Sequence, residues 1–131
     1  MFNPSDIVLE AKHVVKQFPA SDGRLLTACN DVTLNVYRGK TLGIVGESGC
    51  GKSVTQMSVM QLVQSPPGKI LGGEVLFEGR DLLKLNAKQM RSVRGSDIAM
   101  IFQEPMTSLN PVYTVGSQLT EVIRTHMDAD Q

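Results

Sequence analysis

The stretch with the clearest chemical potential is a glycine-rich loop. It reads Gly46-Glu47-Ser48-Gly49-Cys50-Gly51-Lys52-Ser53. An apolar run, residues 41–45, leads directly into it. A strand, a glycine-rich loop and the start of a helix, in this order, form a cradle for phosphate groups. Glycines let the backbone approach the phosphates closely, and the free amides at a helix start carry partial positive charge.

Two side chains of this loop have separate expected roles. Lys52 suits a point charge on the β- and γ-phosphates, and the hydroxyl of Ser53 suits a ligand of Mg²⁺. A flexible glycine turn whose lysine only faces solvent is the alternative. The strand in front of the loop favours the phosphate cradle, so the sequence predicts a nucleotide-binding domain.

The elements that must position this loop follow from the apolar patterns. Residues 7–15, 32–37 and 73–79 read as strands of a half-exposed, antiparallel kind. Residues 41–45 and 98–102 are apolar on both faces and predict the centre of a parallel sheet. A helix is expected from about residue 52 to 62, a short helix after Asn86, and an amphipathic helix along residues 115–127. The predicted fold class is α/β.

Composition narrows the range of functions. The chain has 131 residues and a formal net charge of zero, which suits one small domain and gives no reason to expect nucleic acid as a partner. No apolar stretch approaches the length of a membrane span, and the first residues lack the pattern of a signal peptide. We therefore expect a cytoplasmic protein with Cys29 and Cys50 as free thiols, since neither has metal-site spacing.

Three stretches, residues 42–53, 90–95 and 98–111, resemble one family when they are taken together. They are similar to the ATP-binding subunits of ABC transporters, and the resemblance extends from about residue 7 to 126. The nearest branch contains the bacterial importers for oligopeptides, dipeptides, glutathione and nickel. The run from Phe102 to Pro111 is highly specific to that branch.

The resemblance implies roles for individual residues. Gly46 to Ser53 match the Walker A loop, and Gln103 matches the Q-loop glutamine, which in the family reaches Mg²⁺ and the attacking water and whose loop contacts the membrane-spanning subunit. Phe18 falls where the family places an aromatic that stacks on adenine. A phenylalanine that packs on the local core fits Phe18 as well.

The predicted site therefore combines ATP and Mg²⁺. Lys52 and Gln103 are the predicted catalytic residues, and Ser53 and Gln103 are the predicted Mg²⁺ ligands. The predicted cofactor-binding residues are Phe18, Gly46, Glu47, Ser48, Gly49, Cys50, Gly51, Lys52, Ser53 and Val54.

Three motifs of the family do not occur in the 131 residues: a signature of the L-S-G-G-Q kind, a Walker B strand ending in Asp-Glu, and a switch histidine. Residues 71–74 resemble a signature, but they lack the serine and precede Gln103. Residues 1–131 are accordingly interpreted as the N-terminal portion of a nucleotide-binding domain. The expected fold is an incomplete P-loop NTPase core of the ABC ATPase type with an antiparallel β subdomain.

The resemblance also implies a function. The parent subunit is expected to energise import of peptides or a related solute across the bacterial inner membrane by ATP hydrolysis, from the cytoplasmic face. Its expected partners are transmembrane permease subunits, a second ATP-binding subunit and, indirectly, an extracellular solute-binding protein. For the 131 residues alone we expect weak or no ATP binding and no hydrolysis.

Two alternatives stay open at this point. One is a non-catalytic truncated module that binds nucleotide or a partner. The other is a P-loop kinase or an ABC ATPase without a transport role, such as a DNA-repair type. The run from Gln103 to Met106 and the neutral net charge argue against the second alternative and against nucleic acid.

Overall fold

A computed structural model describes residues 3–63, 68–104 and 108–127. Its chain divides into two compact units, residues 1–86 and residues 87–131, each described by itself. Part of the family-specific run, Pro105 to Thr107, lies outside the described residues. The strands and helices are β1 (Ile7–Pro19), β2 (Leu25–Tyr37), α1 (Lys52–Val59), β3 (Lys69–Phe77), β4 (Arg80–Asp81), α2 (Ala87–Val93) and α3 (Val115–His126).

The first unit is built on a four-stranded antiparallel sheet in the order β2-β1-β3-β4. The predicted half-exposed strands are confirmed, although β1 and β2 extend further toward each other than predicted. The turn between them is closed by Gly23 N, which donates to Ala20 O at 3.0 Å, and by the Arg24–Asp22 ion pair at 2.6 Å. The antiparallel part of the predicted fold is therefore present.

The sheet is interrupted by a bulge around His13. His13 and Asp31, which lie in β1 and β2, both have positive φ, at 51° and 55°, and His13 Nδ1 lies 2.6 Å from Asp31 Oδ1. Gly73 of β3 faces the same place with φ of 96°, and a Cβ there would lie 2.5 Å from Lys12 O. Only glycine fits this close backbone approach without displacing a neighbour.

The core of the first unit lies where α1 and the segment after β4 pack beside the sheet. Its apolar side chains come from the sheet, from α1 and from the segment after β4. Each strand contributes alternate residues, which lie on one face of the sheet. The apolar core residues are Ala11, Val14, Cys29, Val59, Met60, Val75 and Leu82.

The strand expected at residues 41–45 does not form, which corrects the prediction. This segment has no regular secondary structure, and Val45 is 97% exposed. A strand that is apolar on both faces is stable only between neighbouring strands that pair with its backbone groups. No described residue pairs with residues 41–45 in a sheet, so the extended segment enters the loop without forming a strand.

The second unit contains α2 and α3. The helix predicted after Asn86 is confirmed as α2, whose Met90 and Val93 are buried. The strand expected at residues 98–102 is wrong: among the described residues of this unit only Ile98 forms a bridge, with Arg94. The same lack of neighbouring strands explains this outcome.

The amphipathic helix predicted at residues 115–127 is confirmed as α3. Its start is capped by the Thr114 hydroxyl, which accepts from Ser117 N at 3.2 Å. Its apolar stripe, however, is exposed along its length, with Leu119 and Val122 each 57% exposed. Among the described residues, no helix has the length and the apolar character needed to cross a bilayer.

Candidate functional site

The glycine-rich loop leads directly into α1. The helix begins at Lys52 and ends at Val59, a turn earlier than predicted, and Met60 N closes it by donating to Gln56 O at 3.3 Å. The loop itself is exposed from Gly46 to Cys50. The predicted order of loop and helix start is therefore present in the structure.

Gly51 fixes the place where the loop becomes a helix. It is the residue before the first helical turn, and its φ is 96°, in the left-handed region. A Cβ at this position would overlap the carbonyl oxygen of Ala28 in β2. The loop can therefore reach the helix at this angle only with glycine here, because any side chain would push the loop away from the sheet.

Lys52 turns back into the loop. Its ammonium donates to Gly46 O at 2.6 Å and to Glu47 O at 2.7 Å, and it lies 3.4 Å from Cys50 Sγ. An ammonium has three hydrogens, so two strong acceptors and one weak sulfur acceptor account for all of them. The positive charge is thus held at the mouth of the loop. The contact with the sulfur is the weakest of the three, so it is the one that an anion oxygen would replace most easily.

The start of α1 leaves donors free for an anion. No side chain caps the helix at Gly51, so the amides of its first turn, at Lys52, Ser53 and Val54, have no side-chain acceptor. The Ser53 hydroxyl is exposed and forms no hydrogen bond within the described part of the chain. These donors and this free hydroxyl fit a polyphosphate with Mg²⁺.

A buried contact holds the loop against the sheet, and sequence reasoning missed it. The Thr55 hydroxyl donates to Gly51 O at 2.9 Å and lies 3.2 Å from the buried Cys29 Sγ. Because the hydroxyl has one hydrogen, the thiol donates to it in turn. The signal available in the sequence was a small polar residue one turn into the helix, which suits a bond back to the carbonyl four residues earlier.

Phe18 lies near the end of β1 and is half-buried. It pairs with Leu26 across the hairpin, and the Lys16 ammonium lies over its ring, 5.4 Å from the centroid. Phe18 thus packs within the first unit, and packing on the local core is one of the two interpretations given for it above.

Gln103 belongs to the second unit. It lies on an exposed segment without regular structure, and Ile101, two residues earlier, is 91% exposed. The described residues contain no group of three or more His, Cys, Asp or Glu side chains arranged to hold a metal ion. The structural case for Mg²⁺ therefore rests on Ser53 and on the oxygens that a phosphate would bring.

An exposed glycine-dependent loop, an inward lysine and an uncapped helix start define the class of the molecule as a P-loop nucleoside-triphosphatase domain. Solved structures agree on the fold. The dimeric structure of MJ0796, a bacterial ABC transporter cassette, matches 94% of this chain and 50% of its own with a TM-score of 0.79 and 23% identity. A structure of the same cassette bound to ADP and Pi matches equally well.

Sequence comparison fixes the family. The ABC transporter family model matches residues 29–131, so the chain belongs to the ABC transporter family. A probable peptide ABC transporter ATP-binding protein of Sinorhizobium fredii is 49% identical over 95% of this chain. The oligopeptide transport ATP-binding protein OppD of Bacillus subtilis is 50% identical over 91% of it. The chain spans 37% and 33% of the length of these two relatives.

Proposed function

We propose that this chain is the N-terminal portion of the ATP-binding subunit of an ABC importer for peptides or a related solute. The observation that carries the proposal is the loop from Gly46 to Ser53, with Lys52 held inward and the start of α1 uncapped. The names of the relatives, which cover peptide and oligopeptide transport, support the solute class.

Within this loop the chain's own groups bind and orient the nucleotide. The first-turn amides of α1 and the Lys52 ammonium hold the phosphates, and the Ser53 hydroxyl provides a ligand for Mg²⁺. Bound ATP with Mg²⁺ supplies the phosphoryl group whose transfer to water drives transport. Lys52 exchanges its contact with Cys50 Sγ for a phosphate oxygen while it keeps the two carbonyl contacts that fix its position.

Two further residues have proposed roles in the parent subunit, each considered by itself. Phe18, which is half-buried, stacks on adenine, and Gln103 orients the attacking water and Mg²⁺. The proposed partners are permease subunits at the cytoplasmic face of the inner membrane and a second ATP-binding subunit. The dimeric form of the matching cassette supports the second partner. An extracellular solute-binding protein is an indirect partner.

A calorimetric titration of the chain with Mg-ATP tests the proposal. The expected result is weak binding that Lys52→Ala abolishes, because this variant loses the only cationic side chain of the loop. Lys40→Ala is the matched control, since Lys40 is exposed and lies before the loop. Equal binding by the chain and by Lys52→Ala would contradict the assignment of the loop.

For the 131 residues alone, a binding role without chemistry is the second candidate. The chain contains no Walker B carboxylates and no signature sequence, so neither a carboxylate beside the attacking water nor a cap for a partner's nucleotide is present in these 131 residues. We therefore expect no ATP hydrolysis above background. Turnover that disappears in Lys52→Ala would overturn this expectation.

A further inference from the structure

Lys16 is a buried cation in the middle of the first unit. It belongs to β1, is 1% exposed, and is one of the largest fully buried side chains of the chain. Its ammonium forms no hydrogen bond and no ion pair within the described residues; its recorded contact is the face of Phe18. A buried ammonium is normally paired, because leaving water without a partner is costly.

The Lys16 side chain lines a cavity of about 450 Å³. The cavity lies between β1, β3 and the segment that follows β4, and its volume is in the range of roughly 300–1,000 Å³ that suits small-molecule sites. Leu71 and Leu83 contribute apolar surface to its wall, and Gln61, Asp81 and Lys84 contribute polar groups. It does not include any residue of the phosphate loop.

The other charged groups of the cavity are already satisfied. Lys84 Nζ lies 3.0 Å from Asp81 Oδ2, and the Asp81 carboxylate also accepts from Leu83 N at 3.0 Å and from Val75 N at 3.4 Å. Gln61 donates to the carbonyl oxygen of Leu82. With Asp81 and Lys84 compensating each other, the wall retains one uncompensated positive charge, that of Lys16.

We propose that this cavity binds the carboxylate of a small organic acid, which pairs with the Lys16 ammonium. One uncompensated positive charge matches a monoanion better than a doubly charged phosphate, and the wall formed by Leu71 and Leu83 suits a short carbon chain. Burial lowers the pKa of Lys16, and a carboxylate beside the ammonium raises it again. The proposal does not rest on nucleotide binding at the loop, because no loop residue lines the cavity.

Backbone NMR of the full chain tests the proposal with sodium butyrate, sodium chloride and sodium phosphate at equal ionic strength. The Lys52→Ala variant serves as the background, so that phosphate cannot act through the loop. The expected result is saturable shifts at Leu71, Gly72 and Lys84 with butyrate, and none with chloride. Saturation by phosphate but not by butyrate would overturn the choice of ligand, and no saturation by either would overturn the site.

The matched variants are Lys16→Met and Lys40→Met. Lys16→Met keeps the chain length and removes the buried charge, so we expect the butyrate response to vanish while Lys40→Met retains it. If Lys16→Met does not fold, the ¹³Cε resonance of Lys16 in the folded background provides the second test. Butyrate is expected to raise its titration midpoint, and an unchanged midpoint would refute the pairing.

Discussion

The α-carbon of Gly51 faces the carbonyl oxygen of Ala28 so closely that no side chain fits between them. This contact joins the phosphate loop to strand β2 through backbone alone. Thr55 reinforces it, because its hydroxyl and its amide both donate to Gly51 O at 2.9 Å. The position of the loop is therefore set by the sheet as well as by the helix that follows.

Gly51→Ala is expected to destabilise the chain and to weaken nucleotide binding. The left-handed backbone costs roughly 1–2 kcal/mol with a side chain, and displacing Ala28 adds about 1–3 kcal/mol. Urea unfolding measures the loss. Gly43→Ala is the control, since a Cβ there meets no atom within 4 Å. Similar midpoints for both variants would show that Gly51 is not constrained by β2.

A second glycine pair tests the bulge in the sheet. Gly73→Ala places a Cβ 2.6 Å from His13 O at a φ of 96°, whereas a Cβ at the adjacent Gly72 meets nothing within 4 Å. We expect Gly73→Ala to lower the free energy of unfolding by at least ~1–2 kcal/mol and Gly72→Ala to change it far less. Thermal melts of the two variants measure this difference in stability. Equal melting temperatures would argue against the bulge.

The two thiols are expected to differ in reactivity. Cys50 is exposed in the loop, and Cys29 is 3% exposed beside Thr55. Titration with a chromogenic disulfide should therefore show one fast thiol in the folded chain and a second only after unfolding. Alkylated Cys50 should lose Mg-ATP binding, because the added group lies beside Gly46 and Lys52. Cys50→Ser is the control that keeps binding, and two fast thiols would contradict the burial of Cys29.

Asp81 is expected to make stability depend on pH in the acid range. Burial alone would raise the pKa of Asp81, but hydrogen bonds from Lys84, Leu83 N and Val75 N outweigh it and hold that pKa below its ordinary value of 3.8. The folded state therefore binds this proton less tightly than the unfolded state. The resulting stability is present above pH 3.8 and is lost as pH falls through the folded pKa.

Asp81→Asn should reduce this acid-range dependence in urea unfolding between neutral and acidic pH. Asp6→Asn is the control, because Asp6 is exposed. A steep pH dependence that survives in Asp81→Asn would assign the effect to other carboxylates.

The exposed apolar segment before the loop is expected to drive self-association. Val45 is 97% exposed, and Val45→Lys should reduce association without lowering stability, because no packing is lost. Thr41→Lys adds the same charge nearby and keeps Val45, so it should reduce association less. Sedimentation velocity over a concentration series measures both. A wild-type chain that stays monomeric throughout would contradict the prediction.

The sequence was sufficient to predict the glycine-rich loop followed by a helix start, because residues 46–53 carry a local pattern that needs no distant partner; phosphate binding by this loop stays a prediction. It also predicted α2 and α3 and the antiparallel strands, whose alternation is local. It was wrong at residues 41–45 and 98–102, because an apolar run becomes a strand only when neighbouring strands pair with it, and pairing is a long-range property. The burial of Lys16 likewise depends on β3 and the segment after β4, which no local pattern reveals.

The order of the strands has one more consequence for the loop. Because β1 pairs with both β2 and β3, the sheet fixes both ends of residues 38–68, with Tyr37 opposite Ile7 and Lys69 opposite Gln17, and the phosphate loop and α1 lie within this segment. Fixing the two ends of a segment removes conformational entropy from the residues between them. The sheet thus acts as a tether, and any change that frays β3 from β1 releases the ligand-binding segment at one end without altering a residue in it.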